Sequence, residues 1–300
     1  MADSGLKKFF KISCVGCLGL TILVVAAVVI FGWFSSRSAE FTDRVARYEP
    51  ESLVGESIPQ GSESAPNRVR LLVTAADRVV LRACEEGESL HVQATYNKKR
   101  VEFREELDHE PDGSWTYTVE MEGSGSSLAR FIEKAFSRRE TELEVCLPAD
   151  VPIALETEMT RAGMEAELGG LWLSTIDLRA DMGGVVVRFD EPLREPAESV
   201  SVQVNMGGIV LQGVGHASPA VLEVDYKFGG GLLDLTGDWK RDAQIDMQGK
   251  TGGVTVILPD SVLVKGVPDE LLTTGSNPET TPTLFFAPGT DFEEVTVRRR

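Results

Sequence analysis

The sequence has few of the residues that carry out chemistry, with three histidines and four cysteines among 300 residues. The histidines, His91, His109 and His216, lie too far apart along the chain to form a metal pair at helix or strand spacing. We expect them to lie in solvated loops. The sequence also has no P-loop, no G-x-S-x-G motif and no dinucleotide-binding fingerprint. These absences predict a protein that is not an enzyme and that has no catalytic residues, no cofactor and no metal site.

Basic residues are in the minority, with 30 Lys and Arg against 47 Asp and Glu. The formal net charge is -17 and the sequence pI is near 4.7. Such a charge repels nucleic acid, anionic lipid and acidic polysaccharide. We therefore expect no nucleic-acid partner.

One long apolar run stands near the N-terminus, from Ile12 to Phe34. Its 23 residues carry no charge and are enough to span a bilayer with some tilt. Arg37 lies at the -3 position before Ala39, where a signal-peptide cleavage site has a small residue, and this predicts an uncleaved transmembrane helix over residues 12–34. Three lysines in the basic tail, residues 1–11, favour a cytoplasmic N-terminus, although three arginines after the run oppose this orientation. The prediction is a single-pass protein of the cytoplasmic membrane, with the lipid bilayer around residues 12–34 and the rest of the chain outside.

The four cysteines form two pairs. Cys14 and Cys17 make a C-x-x-C motif inside the apolar run, where a zinc or redox role would lack solvent and further ligands. We expect them to act as small residues that allow close helix packing. Cys84 and Cys146 lie in the outer part of the chain, where a disulfide is permitted, and the sequence leaves open whether they pair.

Residues 35–67 are rich in Ser, Glu, Gly and Pro and are predicted to be a linker. From residue 68 onward, short β-type runs alternate with turn-prone residues: "RVRLLVTA", "RVVLRA", "SLHVQATY", "SWTYTVEM" and "ELEVCLP". The exception is "SSLARFIEKAFSRRE", residues 126–140, whose apolar residues recur at helical spacing behind a serine. We predict a mostly β domain over residues 68–300 with one short amphipathic helix, which packs on its own sheet or docks on a partner or on the membrane surface.

Glycine doublets recur in the second half of the chain. Their spacings are 14, 24, 22 and 23 residues, and the doublets are Gly169-Gly170, Gly183-Gly184, Gly207-Gly208, Gly229-Gly230 and Gly252-Gly253. Such a period is the mark of a repeat architecture, and we place the regular repeats within residues 164–265.

The residues before the last four doublets alternate between apolar and polar. The third and first residues before the doublet are apolar in three of four repeats, namely Ala180 and Met182, Val204 and Met206, and Tyr226 and Phe228, whereas Gly249 and Thr251 depart from this. The alternate positions are all polar, namely Arg179, Asp181, Gln203, Asn205, Asp225, Lys227, Gln248 and Lys250. Each strand should therefore bury one face.

Across each doublet the apolar phase shifts by an odd number of residues, so the chain must bend, bulge or reverse there. Glycine supplies the positive φ or the close backbone approach that such a point requires. Two geometries satisfy this pattern. The doublets form type I′ turns of repeated antiparallel hairpins, or they form corners of a β-solenoid with 22 to 24 residues per coil. The regular period favours the solenoid.

The stretch "LPADVPIALETEMTRAGMEAELGGLWLSTIDLRADMGGVVVRFDEPL" and the later "LTGDWKRDAQIDMQGKTGGVTVILPDSV" resemble the toast-rack domain. This β-solenoid-like module occurs in bacterial adhesin-type proteins and in the C-terminal part of LiaF-type cell-wall-active antibiotic response proteins. The similarity is good over residues 143–265 and loose over 68–142. It implies a membrane-associated, non-enzymatic envelope domain with a role in adhesion or stress signalling. LiaF-type proteins have several membrane helices, however, where this chain shows one.

Three functional hypotheses follow. In the first, a tethered interaction module contacts an envelope protein, a cell-wall polymer or another copy of itself. In the second, the polar cluster of Asp234, Asp238, Lys240, Arg241 and Asp242 serves a glycan-active β-helix enzyme, where carboxylates divide acid and base work. In the third, the chain regulates a membrane sensor of envelope stress. The sequence favours the first, because a charged turn that protects a sheet edge is the simpler explanation of the cluster.

Overall fold

The computed structural model describes residues 40–48, 67–85, 88–124, 140–268, 282–288, 290 and 295–300. The predicted transmembrane helix, residues 12–34, lies outside this set. The apolar positions of the predicted amphipathic helix, residues 128–136, lie outside it as well. Within the described residues, no helix has the length and apolar character needed to cross a membrane.

The described residues are mostly β, which confirms the predicted fold class at that level. Their one helical element is a single 3₁₀ turn, Val214–His216. The strands are β1 Phe41–Arg47, β2 Asn67–Val73, β3 Arg78–Ala83, β4 His91–Asn97, β5 Val101–His109, β6 Trp115–Gly123, β7 Glu142–Leu147, β8 Ile153–Met159, β9 Gly163–Glu167, β10 Leu173–Met182, β11 Val185–Arg188, β12 Ser199–Gln212, β13 Val221–Asp234, β14 Ala243–Gly249, β15 Val254–Leu258, β16 Leu263–Lys265, β17 Thr283–Phe286 and β18 Val295–Arg299.

The strands form two ladders that face each other across one core. Ladder A runs β5, β6, β2, β8, β10, β12, β13, β14, β17, β16. Ladder B runs β1, β4, β7, β3, β9, β11, β12, β13, β15, β18. Strands β12 and β13 turn from one ladder into the other, so the whole is a curled sheet. Pairing is parallel except for β1–β4, β4–β7 and β5–β6 at one end.

The glycine doublets lie where the chain passes from ladder A to ladder B. Gly207 pairs with Gly229, and Gly208 pairs with Gly230, in parallel register between β12 and β13. The doublets are therefore stacked corners, and the hairpin alternative is wrong for them. Gly169-Gly170 does not belong to this stack, because it lies in the opposite turn, between β9 and β10.

Backbone crowding explains why the first residue of each corner is glycine. A Cβ on Gly207 would lie 1.7 Å from the carbonyl oxygen of Gly183, and a Cβ on Gly229 would lie 1.7 Å from the carbonyl oxygen of Gly207. Both residues also have positive φ, at 149° and 147°. Glycine tolerates both conditions, because it has no Cβ. Each corner thus rests on the carbonyl of the preceding coil.

The expected change of phase at the corner is present. Val202 and Val204 are buried before the doublet of β12, and Ile209 and Leu211 are buried after it. The residue just before the doublet does not join the core, however. Met206 and Phe228 are 46% and 57% exposed. The prediction that the residue just before the doublet is buried was wrong, because the chain already turns there and directs the Met206 and Phe228 side chains away from the core.

The repeat that departs from the apolar pattern does so because of a neighbouring ring. A Cβ on Gly249 would lie 2.1 Å from the Tyr226 ring, which occupies that space in the adjacent coil. The Tyr226 hydroxyl donates to the Gly252 carbonyl oxygen at 3.3 Å. Gly249 therefore makes room for a buried aromatic side chain.

The first half of the chain is wound less simply than the repeats. The five predicted β runs there form β2, β3, β4, β6 and β7, but the β2–β3 coil lies between the β6–β7 and β8–β9 coils. Strand β1 lies inside the segment predicted as a linker, and β5 was not predicted. Strand β1 pairs with β4 and strand β5 with β6, both antiparallel, at one end of the ladders.

Candidate interaction surface

The outer face of ladder A carries rows of polar side chains from successive coils. One row runs from Glu158 through Arg179, Gln203 and Asp225 to Gln248, with each residue paired in register with the next. Period-two alternation directs these side chains outward, while their apolar neighbours fill the core. The row repeats at the strand spacing of about 4.8 Å.

A groove of about 350 Å³ runs across this face beside the glycine corners. Its polar lining comes from β8, β10, β12 and β13, and comprises Glu158, Thr160, Arg179, Asp181, Gln203, Asn205, Asp225 and Lys227. The Asn205 side-chain amide donates to the Asp181 carboxylate at 2.6 Å, which links two neighbouring coils. The groove has the size of a ligand site, and its axis follows the coil stack.

Exposed apolar side chains border the groove at the corner. Met206 follows Asn205 directly, and Phe228 follows Lys227. Met206 pairs in register with Met182 on one side and with Phe228 on the other, so the three form one row across three coils. A polar groove beside a row of exposed apolar side chains is the arrangement expected of a binding surface.

The charges along the groove are mixed. Glu158, Asp181 and Asp225 supply three carboxylates, while Arg179 and Lys227 supply two cations. The lining therefore offers hydrogen-bond donors and acceptors without a strong field of its own. The chain as a whole carries a formal charge of -17, which disfavours a polyanionic ligand.

The predicted polar cluster at residues 234–242 holds turns of the scaffold together. The Asp234 carboxylate accepts bonds from the backbone N–H and the hydroxyl of Thr236, at 2.9 and 2.6 Å. The Asp242 carboxylate accepts from the backbone N–H of Thr283 at 2.7 Å. Asp234 therefore closes its own turn, and Asp242 ties the connection after β13 to the start of β17.

The two basic members of the cluster, Arg241 and Lys240, also have partners within the scaffold. The Arg241 guanidinium donates to the carbonyl oxygens of Pro196, Ala197 and Ser218, at distances of 2.6 to 3.1 Å. Lys240 forms an exposed ion pair with Asp238. Arg241 therefore fastens the turn after β13 to the connections of two preceding coils.

The three histidines lie in different surroundings. His109 ends β5 and is exposed, and His216 lies in the 3₁₀ turn and is half-buried. His91 contradicts the expectation of a solvated loop, because it begins β4 and is 6% exposed. Cys84 and Cys146, whose pairing the sequence left open, form a disulfide next to His91.

The groove residues were visible in the sequence only as a pattern. Six of them are among the eight alternating polar positions before the doublets, namely Arg179, Asp181, Gln203, Asn205, Asp225 and Lys227. Their periodicity indicated an outward face. Where a groove forms on the two outer faces depends on how the coils stack, and the sequence pattern does not determine that.

No protein-family model and no curated protein matches this chain. Its structure is similar to that of a "putative cell adhesion protein" from Clostridium sporogenes, at 12% identity and a TM-score of 0.38, over 87% of this chain and 100% of that one. It is also similar to a "putative adhesin" from Bacteroides fragilis, at 12% identity and a TM-score of 0.40, over 88% and 98% of the two chains. A third, a "putative adhesin" from Parabacteroides merdae, has 10% identity and a TM-score of 0.33, over 88% and 97%. At these values the similarities carry no argument about function, and the LiaF-type resemblance stays a prediction.

Proposed function

We propose that the chain is a membrane-tethered, non-enzymatic module of the cell envelope that binds an uncharged linear polysaccharide in the groove of ladder A. The observation that carries the proposal is the groove itself, which four successive coils line with equivalent polar side chains. A site built from one repeated unit suits a ligand that is also a repeat.

The spacing of the groove supports an extended polymer as the ligand. Each coil adds about 4.8 Å along the stack, so four coils span about 14 Å between their outer members. Over that length the lining offers amides, carboxylates and cations at regular intervals, which can bond to sugar hydroxyls. The exposed Met206 and Phe228 at the rim can cover the apolar face of a sugar ring.

The net charge of the chain and the charges of the groove limit which polysaccharides can bind. Acidic polysaccharides would be repelled by a chain of net charge -17, and the groove has three carboxylates against two cations. An uncharged wall polymer is repelled neither by the net charge of the chain nor by the carboxylates of the groove. The apolar row of Met182, Met206 and Phe228 also suits a protein partner, and the experiment below separates the two ligands.

The tether is the second part of the proposal. Residues 12–34 would anchor the chain in the cytoplasmic membrane, with the β scaffold outside, adjacent to the cell wall. The test is fractionation of cells that express the full chain. We expect the chain to resist extraction from membranes by alkaline carbonate and its β region to be cleaved by protease added to spheroplasts. Protection of that region in intact spheroplasts would reverse the orientation.

The binding test uses the full chain in detergent with purified uncharged wall polysaccharide. We expect saturable binding that Gln203→Ala and Asp225→Ala weaken, because both side chains line the groove. Gln93→Ala is the matched control, since Gln93 is also exposed but lies on ladder B. Equal binding by all three variants would contradict the proposed site. A protein captured through Phe228 in native membranes, with no polysaccharide bound, would assign the surface to a protein partner.

A further inference from the structure

The fold brings together two sulfurs and an imidazole from three strands. Cys84 follows β3, Cys146 lies in β7, and His91 begins β4 directly opposite Cys146 in antiparallel register. One ligand atom from each residue lies within 4.8 Å of the others. Cys146 and His91 are buried, and Cys84 is half-buried, so one side of the cluster is open to solvent.

The imidazole contacts the Ser89 carbonyl oxygen, which also lies 3.4 Å from the Cys84 sulfur and 3.8 Å from the Cys146 sulfur. The imidazole Nδ1 lies 3.3 Å from this oxygen, which can only accept, so Nδ1 carries the ring proton in the tautomer that makes this hydrogen bond. The lone pair is then on Nε2. Metal-binding histidines are commonly held in this way, with the second nitrogen donating to a backbone carbonyl.

A carboxylate completes the surroundings. Glu88 Oε2 lies 3.8 Å from the Cys146 sulfur. It accepts from the Glu85 backbone N–H at 2.9 Å and from Arg82 at 3.1 Å. Two donors therefore hold the Glu88 carboxylate beside the Cys146 sulfur.

We propose that Cys84, Cys146 and His91 bind a zinc ion when the Cys84–Cys146 disulfide is reduced, with Glu88 or a water as fourth ligand. Two thiolates and one imidazole are a donor set that zinc prefers in tetrahedral geometry. Zinc–sulfur bonds of about 2.3 Å and zinc–nitrogen bonds of about 2.0 Å place such donors roughly 3.5 to 3.8 Å apart. The two sulfurs, which are bonded in the disulfide, must move apart by about 1.7 Å from the disulfide bond length of about 2.05 Å to reach this spacing.

The disulfide and the zinc ion exclude each other. A dithiol reductant supplies two electrons and two protons, which break the sulfur–sulfur bond and leave two thiols, while the dithiol becomes a disulfide. Binding of Zn²⁺ then releases the two thiol protons as the thiolates form. A disulfide oxidant reverses the sequence: it accepts two electrons from the zinc-bound thiolates and, with two protons, becomes two thiols, while the Cys84–Cys146 bond re-forms and Zn²⁺ is released. The site thus holds a cross-link in oxidising surroundings and a metal in reducing ones.

The experiment uses the full chain in detergent with Cys14→Ser and Cys17→Ser, which removes the C-x-x-C motif of the apolar run as a competing zinc site. Equilibrium dialysis against Zn²⁺ should give one bound ion per chain after reduction with a phosphine and none in the oxidised chain. Co²⁺ in place of Zn²⁺ should give a thiolate charge-transfer band. Cys146→Ser should abolish zinc uptake. His91→Gln should lower the zinc affinity by more than the roughly 10- to 100-fold loss that follows changes in residues around the ligands. His109→Gln, on an exposed strand end, should leave it unchanged.

Circular dichroism keeps the test decisive if reduction disturbs the fold. In that case Zn²⁺ should restore the β spectrum of the reduced chain, because metal binding is coupled to folding. Reduced chain that takes up no Zn²⁺ under these conditions overturns the proposal and leaves the cysteines as a structural cross-link. Undiminished uptake in both Cys146→Ser and His91→Gln overturns it as well.

Discussion

The stacked-corner geometry predicts that the two glycines of one doublet differ sharply in what they tolerate. A methyl group on Gly207 would lie 1.7 Å from the Gly183 carbonyl oxygen, at a φ of 149° that L residues rarely adopt. A methyl group on Gly208 would lie 3.6 Å from the Gly230 carbonyl oxygen, which is ordinary contact, and Gly208 has no positive φ. Gly207→Ala and Gly208→Ala are therefore a matched pair.

The size of the effect follows from two costs at Gly207. Holding a non-glycine residue in that backbone region costs about 1 to 3 kcal/mol. Overpacking against a neighbouring coil costs about 1 to 3 kcal/mol more. We expect Gly207→Ala to lower the free energy of unfolding by about 2 to 6 kcal/mol. Gly208→Ala should change it by less than about 0.5 kcal/mol, as for an exposed site without special geometry.

The assay is thermal unfolding of the full chain followed by far-ultraviolet circular dichroism. With about 2 to 4 °C lost per kcal/mol for a domain of this size, Gly207→Ala should lower Tm by roughly 5 to 20 °C. Gly208→Ala should unfold within about 2 °C of the unsubstituted chain. Equal Tm values for the two variants would refute the view that the first glycine of each doublet is a contact between coils.

Three further predictions concern single side chains. Arg241→Met should lower the free energy of unfolding by about 2 kcal/mol in a urea titration. The substitution removes the guanidinium, and with it the charge-assisted hydrogen bonds to carbonyl oxygens of preceding coils. Leu222→Ala should cost about 2 to 5 kcal/mol in the same titration, since Leu222 is fully buried. Glu88→Gln should lower Tm at pH 7. The Glu85 N–H and Arg82 lower the pKa of the Glu88 carboxyl in the folded chain below its ordinary value of 4.5. The Glu88 carboxylate therefore stabilises the fold fully above pH 4.5, and this stabilisation is lost as the pH falls through the lowered pKa of the folded chain. At that pH the Tm difference between Glu88→Gln and the unsubstituted chain should vanish.

The repeat region could be predicted from sequence because its determinants are local. The doublets mark the corners, and the alternation of Gln203 and Asn205 with Val204 marks the outer and inner faces. The constant period favoured stacked coils over hairpins, and the parallel pairing of β12 with β13 decides between them. The failure at Met206 and Phe228 is equally informative. Alternation predicts side-chain direction only within a strand, and these residues lie where the strand turns.

The remaining features depend on contacts between distant segments. The β2–β3 coil is placed between two coils that come later in the chain, and no periodicity records that order. His91 and Cys146 meet because β4 pairs with β7 in antiparallel register. With a sequence separation of 62 between Cys84 and Cys146, spacing alone could not connect them, and the histidine could not be assigned to either.

Cross-linking of engineered cysteine pairs tests the stacked parallel scaffold most directly. Gln203 lies opposite Asp225 of the next coil, at a spacing of about 4.8 Å that a disulfide can bridge. In a hairpin turning at Gly207-Gly208, Gln203 would instead lie opposite Gln212. We predict that Gln203→Cys with Asp225→Cys forms a disulfide under mild oxidation, detected by mass spectrometry, and that Gln203→Cys with Gln212→Cys does not. The opposite outcome would contradict the account.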